Sequence, residues 1–210
     1  TNLVSPENNI FGNNNISFTG SKKYITNALN QRLINEYNKS SCYIFDIQSL
    51  AEKVGLENWY SSKHTFIGKT PFDISQTPIF SDYFCRILSA TYGKPKKCIV
   101  LDLDNTIWGG EIGDSGIENI ILGNGSAIGE AFIDFQKTLA CYRSRGILLA
   151  IASKNNYDVA INAIDNHPEM ILKKDDFSCI KVDWNDKASN ITDIARELNI
   201  GLDSLIFIDD

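Results

Sequence analysis

The chain has 210 residues, of which 43% are hydrophobic and 22% are charged, and its formal net charge is −6. A chain of this length and composition can bury a substantial core, as one large domain or two small ones. Its acidic balance excludes the basic surface that general nucleic-acid binding requires. No apolar stretch approaches the roughly 20 residues of a membrane-spanning helix, so we expect neither nucleic acid nor a membrane as a partner.

The cysteines and the N-terminus bear on the cellular compartment. The five cysteines are scattered along the chain without Cys-x-x-Cys spacing: Cys42, Cys85, Cys98, Cys141 and Cys179. This pattern is more typical of a reducing cytoplasm than of a disulfide framework or a zinc site. Residues 1–15 are rich in asparagine and lack the charged and then apolar order of a signal peptide. We therefore expect a cytoplasmic protein.

Residues 1–94 contain patterns of both helix and strand, separated by an irregular stretch. Helical periodicity predicts helices over 21–37, 48–54 and 79–92. A run of β-forming residues predicts a short strand over 42–47, whereas 58–80 shows no regular period. We expect a small α/β segment here, which could be the tail of a larger upstream domain.

From residue 95 onward, strands and helices alternate regularly. Apolar runs predict strands at 98–102, 147–152, 179–182 and 205–208. Helical patterns follow the first three strands, at 129–146, 157–166 and 187–201. This alternation is typical of a doubly wound parallel sheet with right-handed crossovers, which we assign to residues 95–210. The spacing leaves room for a glycine-rich flap after the first strand, but not for a large cap domain.

The first predicted strand ends in two carboxylates, Asp102 and Asp104. Open α/β sheets bind their ligands at the carboxyl ends of the strands, so the two side chains are expected to converge there. Carboxylates brought together away from bulk water repel each other, and a bound cation such as Mg²⁺ relieves that repulsion. The alternative is a turn that uses aspartate and asparagine only for local hydrogen bonds.

The other strand ends carry further reactive groups, namely Ser153, Lys187, Asp209 and Asp210. Such a set suits phosphoryl transfer, in which one carboxylate is the nucleophile and another exchanges protons with the leaving group and water. A hydroxyl, a lysine and further carboxylates then hold the phosphate and the metal ion. Taken singly, each residue has a simpler explanation as a helix cap, a turn residue or a solvated charge. Their occurrence at successive strand ends favours the catalytic interpretation.

Longer sequence phrases resemble a known family. They lie at residues 97–110, 153–156, 167–170, 175–177 and 184–188. These phrases resemble the haloacid dehalogenase (HAD) superfamily of phosphotransferases, and within it the FkbH-like branch. Members of that branch are glyceryl transferase/phosphatases that load acyl carrier proteins in polyketide assembly lines. The resemblance covers about residues 40–210 and implies a HAD-like Rossmannoid fold without a cap.

The resemblance also implies a role for each site residue. Asp102 would be the nucleophile and a metal ligand, and Asp104 the general acid/base that gives the metal its backbone carbonyl. Asp210 would complete the Mg²⁺ site, while Asp209 would pair with Lys187. The residues expected to bind phosphate or substrate are Thr106, Ser153, Lys154, Asn155 and Lys187.

The family's implied substrate is 1,3-bisphosphoglycerate, whose glyceryl group (or a related unit such as lactyl) would pass to the phosphopantetheine thiol of an acyl carrier protein. We take Cys98 as the candidate carrier of a transient acyl thioester, ahead of the other cysteines. A regular strand places it roughly 13 Å from Asp102 at ~3.3 Å per residue, and a free cysteine is commonly a core residue. Lys94, Lys96 and Lys97 are candidates for a basic docking patch.

Two alternatives stay open at this point. One is a simple capless phosphatase that forms an aspartyl-phosphate without acyl transfer. The other is a docking module that keeps the fold without catalysis. Because the family's chain continues beyond the fourth motif, we also expect residues 95–210 to be a C-terminally truncated catalytic domain.

Overall fold

The computed structural model describes residues 1–7, 10–37, 43–123 and 125–210. Contacts between Cα atoms divide the chain into two units, Thr1–Gly93 and Lys94–Asp210. Within the described residues, no helix combines the length and the apolar character that crossing a bilayer requires.

The first unit is built from helices. They are α1 (Lys22–Tyr37), α2 (Ile47–Val54), α3 (Leu56–Trp59), α4 (Ser62–Gly68) and α5 (Thr77–Thr91). The start of α2 is set by Asp46, whose carboxylate accepts a hydrogen bond from the Ser49 amide at 3.1 Å. The helix ends at Gly55, which has a φ of 89°, a backbone conformation that glycine adopts with little steric strain. The three predicted helices of this unit are confirmed, with ends that differ by one or two residues.

Two predictions for the first unit are wrong. The predicted strand over 42–47 is absent from its described part, because residues 43–46 pair with no strand and Ile47 already begins α2. Cys42 lies outside the described residues. Nor is 58–80 irregular, since it contains α4 and a 3₁₀ turn at Ile74–Gln76. In its described part this unit is therefore helical, and the expectation of a small α/β segment fails because Asp46 caps a helix where the β-forming run ends.

The core of the first unit is small and aromatic. Phe45, Leu50, Ala51 and Trp59 are buried in it, and the rings of Trp59 and Phe72 lie 5.0 Å apart. The apolar residues that predicted α1 lie mostly outside this core, with exposed fractions between 41% and 47%: Ile25, Leu29, Leu33 and Ile34.

The second unit contains a parallel sheet. Its strands are β1 (Cys98–Leu101), β2 (Leu148–Ser153), β3 (Cys179–Val182) and β4 (Leu205–Ile208). Their order in the sheet of the described chain is β3-β2-β1-β4, and each neighbouring pair is parallel. Helices α6 (Ile112–Ser115), α7 (Ala127–Ser144), α8 (Tyr157–Asn166) and α9 (Lys187–Glu197) connect them. The predicted α/β fold with a parallel sheet is confirmed.

The sheet has apolar side chains on both faces. Leu101 and Ile151 belong to the larger cluster, together with residues of α7 and α8, whereas Val100 and Ala152 join a smaller cluster with Ile194 of α9. Successive strand residues point to opposite faces, so this division follows from the two-residue period. Central strands buried on both faces read as continuous apolar runs, which is why the sequence predicted them well.

The segment between β1 and α7, residues 102–126, forms a compact flap over the end of β1. Its described part holds α6, a 3₁₀ turn at Ile117–Asn119, and a paired turn in which Gly109 and Ile121 exchange backbone hydrogen bonds of 3.0 and 2.8 Å. The described residues here contain no inserted cap domain.

A buried glutamine on α7 ties this flap to the rest of the unit. The Gln136 side chain is fully buried and donates to the Ile107 carbonyl at 3.0 Å. Its own oxygen accepts from the amides of Ile171 and Leu172 at 2.9 and 3.2 Å. Gln136 thus lies on the buried face of α7 although it is polar, whereas Tyr142 near the end of the same helix is 43% exposed.

We expect Gln136→Leu to lower the free energy of unfolding by about 2–4 kcal/mol, since backbone groups that lose a buried partner cost about 1–3 kcal/mol each. Urea unfolding of the variant tests this. Lys137→Leu, at the exposed neighbouring position, is the control and should change the stability by less than about 0.5 kcal/mol. Equal effects of the two substitutions would contradict the role given to Gln136.

Candidate active site

The carboxyl ends of the strands bring the predicted charged residues together. Asp102 follows β1 and its amide still donates to the Ile208 carbonyl of β4 at 3.0 Å. Ser153 is the last residue of β2, and Lys187 is the first residue of α9 after β3. Asp209 and Asp210 follow β4 directly. Because all four strands are parallel, these groups share one edge of the sheet.

Lys187 joins two of the carboxylates. Its Nζ atom lies 2.7 Å from Oδ2 of Asp102 and 2.8 Å from Oδ1 of Asp209. The lysine is held at the start of α9 by Asp186, whose carboxylate caps the helix by accepting from the Ser189 amide at 3.1 Å. The expected pairing of Asp209 with Lys187 is present in this geometry.

The protonation states of this pair follow from its contacts. Burial acts to raise the pKa of Asp102, but hydrogen bonds from Lys187 and Ser153 outweigh it and hold the pKa below its usual value. Burial acts to lower the pKa of Lys187, and its hydrogen bonds to Asp102 and Asp209 raise it above the usual value instead. At neutral pH the site therefore contains an ionised carboxylate against a charged lysine.

Three carboxylates could hold a metal ion. One oxygen each from Asp102, Asp209 and Asp210 lies within 4.8 Å of the others. The second oxygen of Asp102, Oδ1, is buried and has no hydrogen-bond partner in the structure, which is costly unless a cation interacts with it. The three carboxylates carry more negative charge than the single positive charge of Lys187 offsets. A divalent cation would balance the excess negative charge, and carboxylate oxygens are ligands that suit Mg²⁺. The residues present thus fit the ion.

The predicted ligand set was Asp102, Asp210 and the backbone carbonyl of Asp104, with Asp209 paired to Lys187. In the structure the carboxylates of Asp102, Asp209 and Asp210 lie together, and the Asp104 carboxylate is not part of this group. Both oxygens of Asp104 accept hydrogen bonds instead: Oδ1 from the indole of Trp108 at 2.9 Å and Oδ2 from the amide of Asn155 at 2.8 Å. The contribution to the metal site that was predicted for Asp104, its backbone carbonyl, does not involve these oxygens.

The predicted phosphate-binding residues occupy different positions. Ser153 is buried and hydrogen-bonds to Asp102, and Thr106 is buried with a hydroxyl that has no partner. Lys154 is exposed and lines the cavity beside the carboxylates. Asn155 lines the same cavity, but its side-chain amide nitrogen donates a hydrogen bond to Asp104.

A polar cavity of about 290 Å³ opens at this edge, lined among others by Asp102, Asp104 and Asp210. Trp184 also lines it and is 76% exposed, an uncommon state for so large an apolar side chain. A more apolar cavity of about 490 Å³ adjoins Thr106 and the two C-terminal aspartates. We assign the chemistry to the smaller, polar cavity because the nucleophile candidate lies in its wall.

The structure does not bring Cys98 to this site. Cys98 is the first residue of β1, at the opposite end of the strand from Asp102, and it is completely buried. Burial, with a smaller contribution from Cys179, raises the pKa of its thiol to about 11, so the thiol is neutral at physiological pH. This placement argues against the acyl-carrying role predicted for Cys98 and agrees with a core residue.

The candidate docking lysines also lie away from the site. Lys96 and Lys97 precede β1 and are therefore at the amino end of the sheet. The Lys96 side chain donates to the Asp203 carbonyl at 2.5 Å, ahead of β4. A partner that docks on these lysines would not be next to Asp102.

Sequence reasoning missed the residues that contact the predicted ones. Trp108 had no assigned role, although it lies within the first motif phrase, and its buried indole was not foreseeable from spacing. Trp184 was noted only as part of a phrase. The available signal for it in the sequence was its position, three residues before the motif lysine Lys187.

Comparison with known proteins adds one finding. No protein-family profile matches this chain, and no curated protein does. Among solved structures, it matches the crystal structure of the N-terminal part of protein BF1531 from Bacteroides fragilis, described as containing a phosphatase domain complexed with Mg. The identity is 38%, the TM-score is 0.92, and the match covers 99% of this chain and 56% of that one. The chain thus has the fold of the matched part of that structure and spans little more than half of the crystallised chain, which is itself the N-terminal part of BF1531.

We expect Mg²⁺ to raise the unfolding temperature of the unit that contains the site. At a concentration about 100-fold above its Kd, binding adds about 2.7 kcal/mol, or roughly 5–10 °C. Asp210→Asn should remove most of this shift, because it takes away one of the three carboxylates.

The control for this measurement is Asp203→Asn, at the other end of β4, which should keep the full shift. A Mg²⁺-dependent shift of the same size in Asp210→Asn would rule out the proposed carboxylate group as the metal site.

Proposed function

We propose that this protein is a Mg²⁺-dependent phosphatase of the HAD type, which transfers a phosphoryl group first to Asp102 and then to water. The observation that carries the proposal is the Asp102 carboxylate, ionised against Lys187 and with one buried oxygen left without a partner. Supporting it, the matched BF1531 structure is described as a phosphatase domain with Mg. A carboxylate in this setting is a nucleophile for phosphorus.

In the first step an oxygen of Asp102 attacks the phosphorus atom, and the bond from phosphorus to the leaving oxygen breaks. Asp104 gives its proton to that oxygen, so the products are an aspartyl-phosphate and a neutral alcohol. Lys187 and Ser153 stay in contact with the nucleophile and hold it in place. When bound, Mg²⁺ supplies positive charge that offsets the carboxylates and the transferred phosphoryl group.

In the second step Asp104 takes a proton from water while the water oxygen attacks the same phosphorus atom. The bond between phosphorus and Asp102 breaks, which releases inorganic phosphate and restores the free carboxylate. Asp104 ends the cycle protonated, ready for the next leaving group. The two aspartates thus have different roles in the proposed reaction. Asp102 contacts the charged Lys187, whereas Asp104 accepts hydrogen bonds from neutral donors.

The substrate class is a small phosphate compound. A cavity of about 290 Å³ is of the size that small ligands occupy. The exposed Lys154 in its wall offers a cation to a second anionic group of such a substrate. These features are compatible with 1,3-bisphosphoglycerate, the substrate implied by the resemblance to FkbH-like proteins.

Transfer of the glyceryl unit, or a related three-carbon unit, to an acyl carrier protein is the finer form of the proposal. It rests on the sequence resemblance, and the absence of a cap over the described site leaves room for a carrier's phosphopantetheine arm. Because Cys98 lies in the core, the carrier's thiolate would attack the carbonyl carbon of the acyl phosphate directly. The bond from that carbon to the phosphate oxygen would break, which gives the carrier thioester and inorganic phosphate. A docking module without catalysis has less support, because the described charged groups are arranged as a reactive set.

The proposed chemistry predicts that Asp102→Asn lowers Mg²⁺-dependent phosphate release by about 10³-fold or more, since it removes the nucleophile. Phosphate release from p-nitrophenyl phosphate measures this, and a phosphate-sized mass gain should appear only on the wild-type protein. Asp134→Asn, on the exposed side of α7, is the matched control. Retained turnover in a folded Asp102→Asn variant would exclude Asp102 as the nucleophile.

Intact-protein mass spectrometry tests the acyl-transfer step, with Mg²⁺, 1,3-bisphosphoglycerate and a phosphopantetheinylated carrier protein. We expect a glyceryl-sized gain on the carrier, and the same gain when the enzyme is Cys98→Ala. Loss of loading in a folded Cys98→Ala variant would restore the thioester role. Phosphate release with no gain on the carrier would leave a simple phosphatase.

A further inference from the structure

The carboxylate of Asp104 is held by three donors. On one oxygen it accepts from the Trp108 indole at 2.9 Å and from the Ile112 amide at 3.1 Å. On the other it accepts from the Asn155 side-chain amide at 2.8 Å. These distances are those of well-formed hydrogen bonds. The carboxylate is therefore fixed from two directions, by the flap and by the turn after β2.

The two side-chain donors are themselves firmly placed. Trp108 is completely buried and Asn155 is 5% exposed. A buried indole N–H needs an acceptor, and in this structure that acceptor is Asp104. Asn155 lies directly before Asn156, whose side chain caps α8 by accepting from the amides of Asp158 and Val159. Neither donor can move without disturbing the packing of its own element.

The backbone of the flap adds to this constraint. Asn105 takes a left-handed conformation with φ of 53° and accepts from the Gly110 amide at 2.8 Å through its side chain. The turn that it forms returns the chain so that Trp108 and Ile112 reach Asp104. Asn105, assigned no site role from the sequence, thus shapes the turn that supplies two of the three donors.

We propose that Trp108 and Asn155 are positioning residues that hold Asp104 in the orientation from which it passes a proton to the leaving oxygen. The proposal rests on the phosphatase function above. Oδ1 of Asp104 has both lone pairs occupied by donors, so Oδ2 has room for the transferred proton. Such fixed orientation matters because a small misplacement of a reacting group costs a large factor in rate.

This role predicts a dependence on the leaving group. A poor leaving group such as phenolate needs its proton as the bond to phosphorus breaks, whereas dinitrophenolate leaves without one. Loss of positioning should therefore lower kcat/KM for phenyl phosphate and leave dinitrophenyl phosphate nearly unchanged. A purely structural role would lower both by the same factor.

We expect Asn155→Ala and Trp108→Phe each to lower kcat/KM for phenyl phosphate by about 10- to 100-fold, within the range that general acid catalysis supplies. For dinitrophenyl phosphate the loss should stay below about threefold. In an Asp104→Asn background, Asn155→Ala should cause no further loss on phenyl phosphate, because residues that act through one another are not additive.

Two controls separate positioning from stability. Asn166→Ala, at the end of α8, should change neither substrate. Trp59→Phe removes a similarly buried indole from the first unit and should lower the unfolding temperature without changing the ratio of the two substrates. If Trp108→Phe unfolds, the Asn155 and Asp104 variants still decide the question.

The outcomes distinguish the two proposals. Equal losses on both substrates, or additive effects of Asn155→Ala and Asp104→Asn in an active enzyme, would overturn the positioning role and leave the phosphatase function standing. A folded wild-type protein that releases phosphate from neither substrate with Mg²⁺ would overturn the phosphatase function itself, and the positioning role with it.

Discussion

The ion pair between Lys187 and the buried Asp102, with Nζ and Oδ2 2.7 Å apart, sets the electrostatics of the sheet edge. Parallel strands end on the same side, so their terminal carboxylates accumulate there and repel one another. Lys187 offsets one negative charge at Asp102 and reaches Asp209 as well. The remaining negative charge explains why a site with this fold would bind a divalent cation. The contact with Lys187 explains why Asp102 stays ionised although it is buried.

The same constraint separates the two aspartates of the first motif. Asp102 contacts the charged amine of Lys187, whereas Asp104 accepts hydrogen bonds from neutral donors on Trp108, Ile112 and Asn155. These neutral donors fix the orientation of the Asp104 carboxylate. The two aspartates, two residues apart, have different surroundings because the turn at Asn105 directs their side chains to different partners. The proposed roles of nucleophile and proton carrier rest on this difference.

Much of the second unit could be predicted from sequence because its signals are local. Its strands are continuous apolar runs, and the charged residues come directly after them. The hydrogen bonds that fix the site could not be predicted, since they join distant segments: Asn155 reaches Asp104 across 51 positions, and Gln136 reaches Ile107 across 29. In the first unit, the β-forming run before α2 was overridden by the cap at Asp46.

The position of Cys98 shows how a fold limits a mechanism. A parallel strand has an amino end and a carboxyl end, and Cys98 and Asp102 lie at opposite ends of β1. A cysteine at the amino end would have to leave the core and travel the length of the strand to meet an acyl phosphate at the carboxyl end. Its thiol, with a pKa of about 11, is also a poor nucleophile there. In the proposed acyl transfer, the acceptor thiol would therefore approach the carboxyl edge from outside, as a carrier's flexible arm would.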